Sequence, residues 1–181
     1  MGEHDARTIG VAIDVPQPWG DQLTRRRREA GDLVAVHVPA HVTLLGPTHV
    51  PHADLPAVDR HLADLAAQCP PFTLRLQGTG TFRPVSQVVF VVVVGGGPDC
   101  QRLHEGLLRA PAVQPDRRFP YHPHVTVAHD VPPADLDAVH HDLADFEAHF
   151  KVATVTLFEH DTDGRWRIRQ EYPLAGRPAV S

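Results

Sequence analysis

The sequence predicts a duplicated, bilobal α+β fold: two pseudo-symmetric lobes of antiparallel sheet, with helices outside and a cleft between them. Three observations predict it. Residues 51–69, PHADLPAVDRHLADLAAQC, recur 81 residues later at 132–150 as PPADLDAVHHDLADFEAHF, with ten positions identical. Within each copy the apolar residues run Leu55, Val58, Leu62, Leu65 and Leu136, Val139, Leu143, Phe146, a spacing that lines one helical face. The flanking segments are rich in β-branched residues or alternate apolar with polar, as strands do.

Taken in order, residues 8–15 form an opening strand, and a helix over 19–30 follows, closed by Gly31 in a left-handed conformation. A strand starting at His41 leads into the helix of the first repeat. Asp54 stands at its N-cap, and Pro70-Pro71 stops it because proline cannot continue the hydrogen-bond ladder. Residues 72–82 form the next strand. The second half repeats the order with a strand at 87–94, a turn at Gly95-Gly96-Gly97, a helix at 98–108 and a strand from His124. A helix with Asp135 at its N-cap and a strand at 152–160 complete that half, and a last strand at 165–172 follows the Asp163-Gly164 turn. The chain, 1–181, reads as one domain whose lobes cover about 8–86 and 87–174 with room for strand exchange, and 175–181 as a flexible tail.

Composition narrows the function classes. A chain of 181 residues can bury a core without disulfides or a structural metal. Lys and Arg total 17 against 22 Asp and Glu, a formal charge of −5, which argues against a non-specific grip on long nucleic acid. Any nucleotide must be held locally. Cys69 and Cys100 form no CxxC pair and read as helix-packing thiols in a reducing compartment. The most hydrophobic run, residues 88–94, is far short of the roughly 20 a spanning helix needs, and no basic leader opens the chain. A soluble, cytoplasmic monomer with no membrane partner is expected.

The segments preceding the repeated helices also agree: HVTLLGPTHVP from His41 and HVTVAHDVP from His124 align once the first loop takes two extra residues. In an extended strand residues i and i+2 face the same way, so His41 projects with Thr43 and His124 with Thr126, while Val42 and Val125 face the opposite, packed side. A pseudo-two-fold axis would bring both imidazoles to opposite sides of one phosphate. Phosphoryl transfer needs a base for the attacking oxygen and an acid for the leaving one, and histidine serves as either near neutral pH. The Thr43 and Thr126 hydroxyls can donate to non-bridging oxygens. The scheme requires no metal and no cofactor.

These paired motifs, HVTL at His41 and HVTV at His124 with FPYH before the second, resemble the 2H phosphoesterase superfamily. More narrowly they resemble its 2′-5′ RNA ligase branch, the LigT-like RNA 2′,3′-cyclic phosphodiesterases. The resemblance implies a bilobal α+β fold, no metal, and opening of 2′,3′-cyclic phosphates of RNA termini or small nucleotides to 2′-phosphates, with reversible 2′-5′ ligation in some members. It gives His41, Thr43, His124 and Thr126 as the catalytic residues. Several members carry an arginine shortly after the second motif where this chain has His129; Arg83, Arg117 or Arg118 could replace it from a neighbouring loop.

Tyr121 and Phe82, with His129, Arg83 and Arg118, are therefore the candidate substrate-binding residues. Tyr121 could stack a nucleobase; Phe82 and Trp19 suit core packing better. His122 shares strand parity with His124, so a His-Pro-His metal site ranks below the acid–base reading. The Arg25–Arg28 run reads as a solvated helix face. His124 is assigned as base and His41 as acid. Two rival readings stay open: another cyclic or 2′-5′-linked nucleotide as substrate, and a nucleotide- or RNA-end-binding module without turnover.

Overall fold

Among the residues described by the computed structural model, 6–114 and 118–178, eight strands form two four-stranded sheets. In chain order the elements are β1 (Ala6–Asp14), α1 (Trp19–Glu29), β2 (His41–Pro51), α2 (Leu55–Gln68), β3 (Phe72–Thr81) and β4 (Val88–Gly95), then α3 (Gly97–Leu107), β5 (His124–His129), α4 (Pro133–Asp142), β6 (Glu147–Val152), β7 (Thr154–His160) and β8 (Trp166–Pro173). The first sheet has the order β2-β1-β7-β8 and the second β5-β4-β3-β6, with every pairing antiparallel. The sheets do not follow the halves of the chain. β3, from the first half, joins the second sheet, while β7 and β8, from the second half, complete the first.

Strand position follows from composition. β1 and β4 carry continuous buried runs, Ile9–Ile13 and Val88–Val91, and occupy interior positions with both faces covered. β6 alternates, with Ala148, Phe150 and Val152 inward, and lies at an edge. Each motif strand is also an edge: β2 beside β1, β5 beside β4. β2 and β5 touch one another, so the two sheets abut along the strands that carry the motifs. Val42 and Val125 are fully buried in a core shared with Leu55, Val58, Leu62, Leu136 and Val139. Burial of each such aliphatic side chain stabilises by roughly 1.5–3 kcal/mol, so the valine between each His and Thr anchors the strand that aims them.

Several local expectations hold. Gly31 has φ +88°, its N–H bonds the Arg28 carbonyl, and it closes α1 as a residue without Cβ can. Trp19 packs on Phe150 of the second sheet, ring centroids 6.2 Å apart. No helix among the described residues is long and apolar enough to cross a membrane.

Others are corrected. Asp54 is the N-cap residue of α2 as expected, but it makes no capping bond, because a 3₁₀ turn, His52–Asp54, feeds directly into the helix. Asp135 lies inside the first turn of α4, whose N-cap is Pro132. The end of the second repeat is not helical: α4 stops at Asp142 and residues 147–152 become β6, because Phe150 and Val152 meet the core at strand period. The start of the expected tail is docked. The Ala175 and Gly176 amides donate to the Ala66 and Cys69 carbonyls, tying this segment to the end of α2. Nor is the arginine run uniformly solvated: Arg27 is buried and its Nε donates to the buried Asp32 carboxylate at 2.6 Å.

Leu62→Ala and Leu136→Ala should each destabilise the fold by about 2–5 kcal/mol in equilibrium urea unfolding. Asp54→Ala, which removes no cap bond, should stay within about 0.5 kcal/mol of wild type.

Candidate active site

The two motif strands end in matching anchors. His41 Nδ1 lies 2.8 Å from the Pro39 carbonyl, and His124 Nδ1 lies 2.6 Å from the His122 carbonyl, in both cases two residues back. A carbonyl oxygen only accepts, so each Nδ1 carries the proton and donates. That fixes the tautomer of both neutral rings and leaves Nε2 of each to take or give a proton. The symmetry of the duplication thus extends to the backbone that orients the imidazoles.

His41, Thr43 and Thr126 line one open pocket of about 240 Å³, together with Asp14, Arg27 and His129. His124 stands two residues before Thr126, half-buried, and close enough to His41 that a charge on one ring disfavours a charge on the other. Its ring is packed by Phe82, edge to face at 5.0 Å, and by Phe90 at 5.2 Å. Both histidines titrate below the ordinary imidazole value. For His41 burial is the main cause, opposed by the Pro39 hydrogen bond, with Arg27 lowering and Asp14 raising it. For His124 burial again leads, opposed by the His122 carbonyl, while His122 and His41 lower it further.

Other residues tie the halves together. Tyr121 Oη donates to the Thr43 carbonyl at 2.8 Å, bridging from the approach to β5 onto β2. Its ring stacks on His104 of α3, centroids 4.1 Å apart and planes 8° from parallel, and His104 Nδ1 donates to the Leu44 carbonyl at 2.7 Å. Burial pushes the Tyr121 phenol up, so it remains a donor.

The remaining sequence-predicted residues are scattered. His129 reaches the pocket, with Nε2 3.2 Å from the Asp130 carboxylate. Arg83 pairs with Asp137 of α4 at 2.8 Å and hydrogen-bonds Thr81, outside the pocket lining. Arg118 is exposed on the approach to β5, and Arg117 lies outside the described residues. The His122 and His124 rings are 5.8 Å apart, and among the described residues no three His, Cys, Asp or Glu side chains converge as metal ligands.

Several pocket residues escaped the sequence reading, among them Asp14, His37, Phe158 and Trp166, and Arg27 was read only as part of a solvated run. Asp14, a charge ending an apolar strand, carried a faint signal. Its carboxyl is raised above the usual range by burial, with a hydrogen bond from Thr156 and the charge of His41 acting against that.

A bilobal α+β fold of two antiparallel sheets is that of the 2H phosphoesterases. The apo structure of LigT from E. coli superposes with a TM-score of 0.68 at 22% identity, covering 93% of this chain and 98% of that one. A candidate phosphoesterase of Geobacillus kaustophilus is 25% identical over 94% of this chain and 98% of its own, and one of Bacillus cytotoxicus is 31% identical over 75% and 74%. The family model of the 2′-5′ RNA ligase superfamily matches residues 15–164, and the chain belongs to that superfamily. Its activity is of the phosphoesterase type.

An NMR titration of the histidine Hε1 resonances should place both motif rings below an apparent pKa of 6.5. Asp14→Asn should move His41 lower still, since removing a nearby negative charge disfavours the imidazolium.

Proposed function

We propose that the protein hydrolyses 2′,3′-cyclic phosphates, at RNA ends or on nucleotides, to 2′-phosphates by two-histidine acid–base catalysis without a metal. The observation that carries this reading is the pair of imidazoles anchored identically through Nδ1 beside a pocket that also holds two threonine hydroxyls. LigT of E. coli has been solved in complex with 3′-AMP and with phosphate, which supports a small nucleotide phosphate as the bound group.

In the proposed step one Nε2 takes a proton from water as the water oxygen attacks phosphorus. The bond from phosphorus to the 3′ oxygen breaks, and the other Nε2 gives its proton to that oxygen. The phosphate remains on the 2′ oxygen. Thr43 and Thr126 donate to the non-bridging oxygens, where charge builds in the transition state. The halves supply the same side chains, but their neighbours differ. His41 pairs across the sheet with Asp14, whereas His124 pairs with Val92. Of the two rings only His41 has a carboxylate across the sheet, although Arg27 lowers its proton affinity by more than Asp14 raises it; on that carboxylate we assign His41 as acid and His124 as base. His129, after the second motif, also lines the pocket.

His41→Ala and His124→Ala should each lower kcat on adenosine 2′,3′-cyclic monophosphate by about 10²–10⁴ while circular dichroism stays native. Activity should survive exhaustive chelation. A panel of cyclic and 2′-5′-linked nucleotides run in parallel identifies any other phosphodiester that is turned over, and binding without turnover of any of them would overturn the reading.

The pH profile tests the division of labour. The acid must be protonated and the base neutral, so kcat/KM falls above the His41 pKa and below that of His124, and its maximum lies below pH 6.5. Asp14→Asn should draw the alkaline limb toward lower pH. Movement of the acidic limb instead would reverse the assignment.

A further inference from the structure

The two-histidine scheme leaves one buried pocket charge without a task, that of Arg27. Its side chain is 7% exposed, yet it lines the same open pocket as His41, Thr43 and Thr126. Nε donates to the buried Asp32 carboxylate at 2.6 Å, and among the described residues that is the one hydrogen bond the guanidinium makes. Asp32 is itself fixed, since its other oxygen accepts from the Val34 amide. Arg27 is therefore held through Nε alone, and Nη1 and Nη2 at the end of the fork have no acceptor among the described residues. Nor are they sealed from solvent: the buried side-chain atom left without a partner among the described residues is His140 Nδ1, on α4. A guanidinium fixed through one nitrogen, with the rest of its fork open to a pocket, is a preformed receptor for phosphate oxygens.

Its place relative to the two rings decides which phosphate it meets. The Arg27 charge acts on His41, whereas the charges acting on His124 are those of His122 and His41. Arg27 thus stands on the His41 side. In the proposed step His41 protonates the departing 3′ oxygen, so the ribose stays on that side while water enters from the side of His124. Thr43 is two residues from His41 along β2, about 7 Å at roughly 3.3 Å per residue. Arg27 lines the pocket with Pro39 and the exposed His37, which lead into His41 from the opposite direction. A ribose whose 2′ and 3′ oxygens face the histidines directs its 5′ oxygen away from the reacting phosphorus, toward this end.

We infer that Arg27, with His37 at the rim, forms a second anion subsite that holds a phosphate on the 5′ oxygen of the ribose whose cyclic phosphate is opened. This rests on the proposed reading of His41 and His124. The favoured substrate is then a cyclic phosphate whose ribose carries a further phosphate, as the last nucleotide of an RNA chain does, over a nucleoside cyclic phosphate. The subsite also accounts for a cation beside the acid. The charges facing His41 are Arg27 from α1 and Asp14 from β1, with opposite effects. A phosphate bound on Arg27 offsets the guanidinium and leaves Asp14 to favour the imidazolium that the acid must carry.

Steady-state kinetics should compare adenosine 2′,3′-cyclic monophosphate, the same nucleotide with a 5′-phosphate, and a dinucleotide ending in a 2′,3′-cyclic phosphate. In the wild type the added phosphate should lower KM by roughly 10- to 150-fold, the range for hydrogen bonds to charged groups, with kcat little changed. A gain for both phosphorylated substrates identifies any 5′-phosphate as the ligand, and a gain for the dinucleotide alone identifies the internucleotide linkage. Arg27→Gln combined with Asp32→Asn removes both charges without leaving either buried and unpaired, and the KM values should then converge. Any general effect of the exchange on the fold or on His41 acts on all the substrates alike. Arg27→Lys, which keeps the charge but not the fork, should retain part of the gain. Equal KM values in the wild type, or a gain undiminished in the double variant, overturn the subsite. By calorimetry, adenosine 2′,5′-bisphosphate should bind more tightly than adenosine 2′-monophosphate by a similar factor, and the double variant should lose the difference. That difference with no cyclic phosphate hydrolysed upholds the subsite and overturns the catalytic reading.

Discussion

The hydrogen bond from the Tyr121 hydroxyl to the Thr43 carbonyl closes the seam on which the site depends. Both motif strands are edge strands, and an edge strand leaves a row of backbone groups without ladder partners. On β2 the carbonyls of Thr43 and Leu44, in the middle of the motif, are instead taken by Tyr121 and by His104, which stack on each other. A donor from just before the second motif is thereby bonded to the backbone of the first. Two strands remote in sequence become neighbours through groups that would be unsatisfied apart, and the distance between their imidazoles is set by backbone geometry more than by the flexible reach of side chains.

The fold was legible wherever period and burial agreed. Continuous valine runs gave interior strands, and the three-four-three apolar spacing gave α2 and α4. The reading failed where similarity of sequence was taken as similarity of structure. Residues 147–150 align with the end of α2, but Ala148, Phe150 and Val152 alternate, and pairing of β6 with β3 decided the outcome. Asp54 and Asp135 illustrate a related failure: an N-cap is a matter of backbone conformation, and the 3₁₀ turn before α2 and Pro132 before α4 leave neither aspartate at a capping position with a side-chain bond.

The site divides in the same way. His-x-Thr could be read because i and i+2 share a strand face whatever surrounds them. Trp166 could not, since it reaches the pocket only because β7 and β8 cross to the sheet of the other half, a fact of topology with no local signature. Arg27 looked like its three neighbours in a basic run. Only the loop after α1, folding Asp32 back beneath the helix, makes that one guanidinium buried and places its charge near His41.

In the proposed two-histidine mechanism, duplication brings a chemical difficulty. Acid–base catalysis needs its two imidazoles in opposite protonation states, whereas a symmetric pair with identical anchors would titrate alike. The differences must come from residues that the repeat does not share. Asp14 opposes His41 where Val92 opposes His124, and Arg27 adds a charge on the same side. The sixth position of the motif differs too, Gly46 in the first copy and His129 in the second, both lining the pocket. A charge on His41 also lowers the tendency of His124 to hold a proton. Under that mechanism these asymmetric neighbours would bias which ring holds the proton, and residues outside the repeated motif would determine how its two copies divide the reaction.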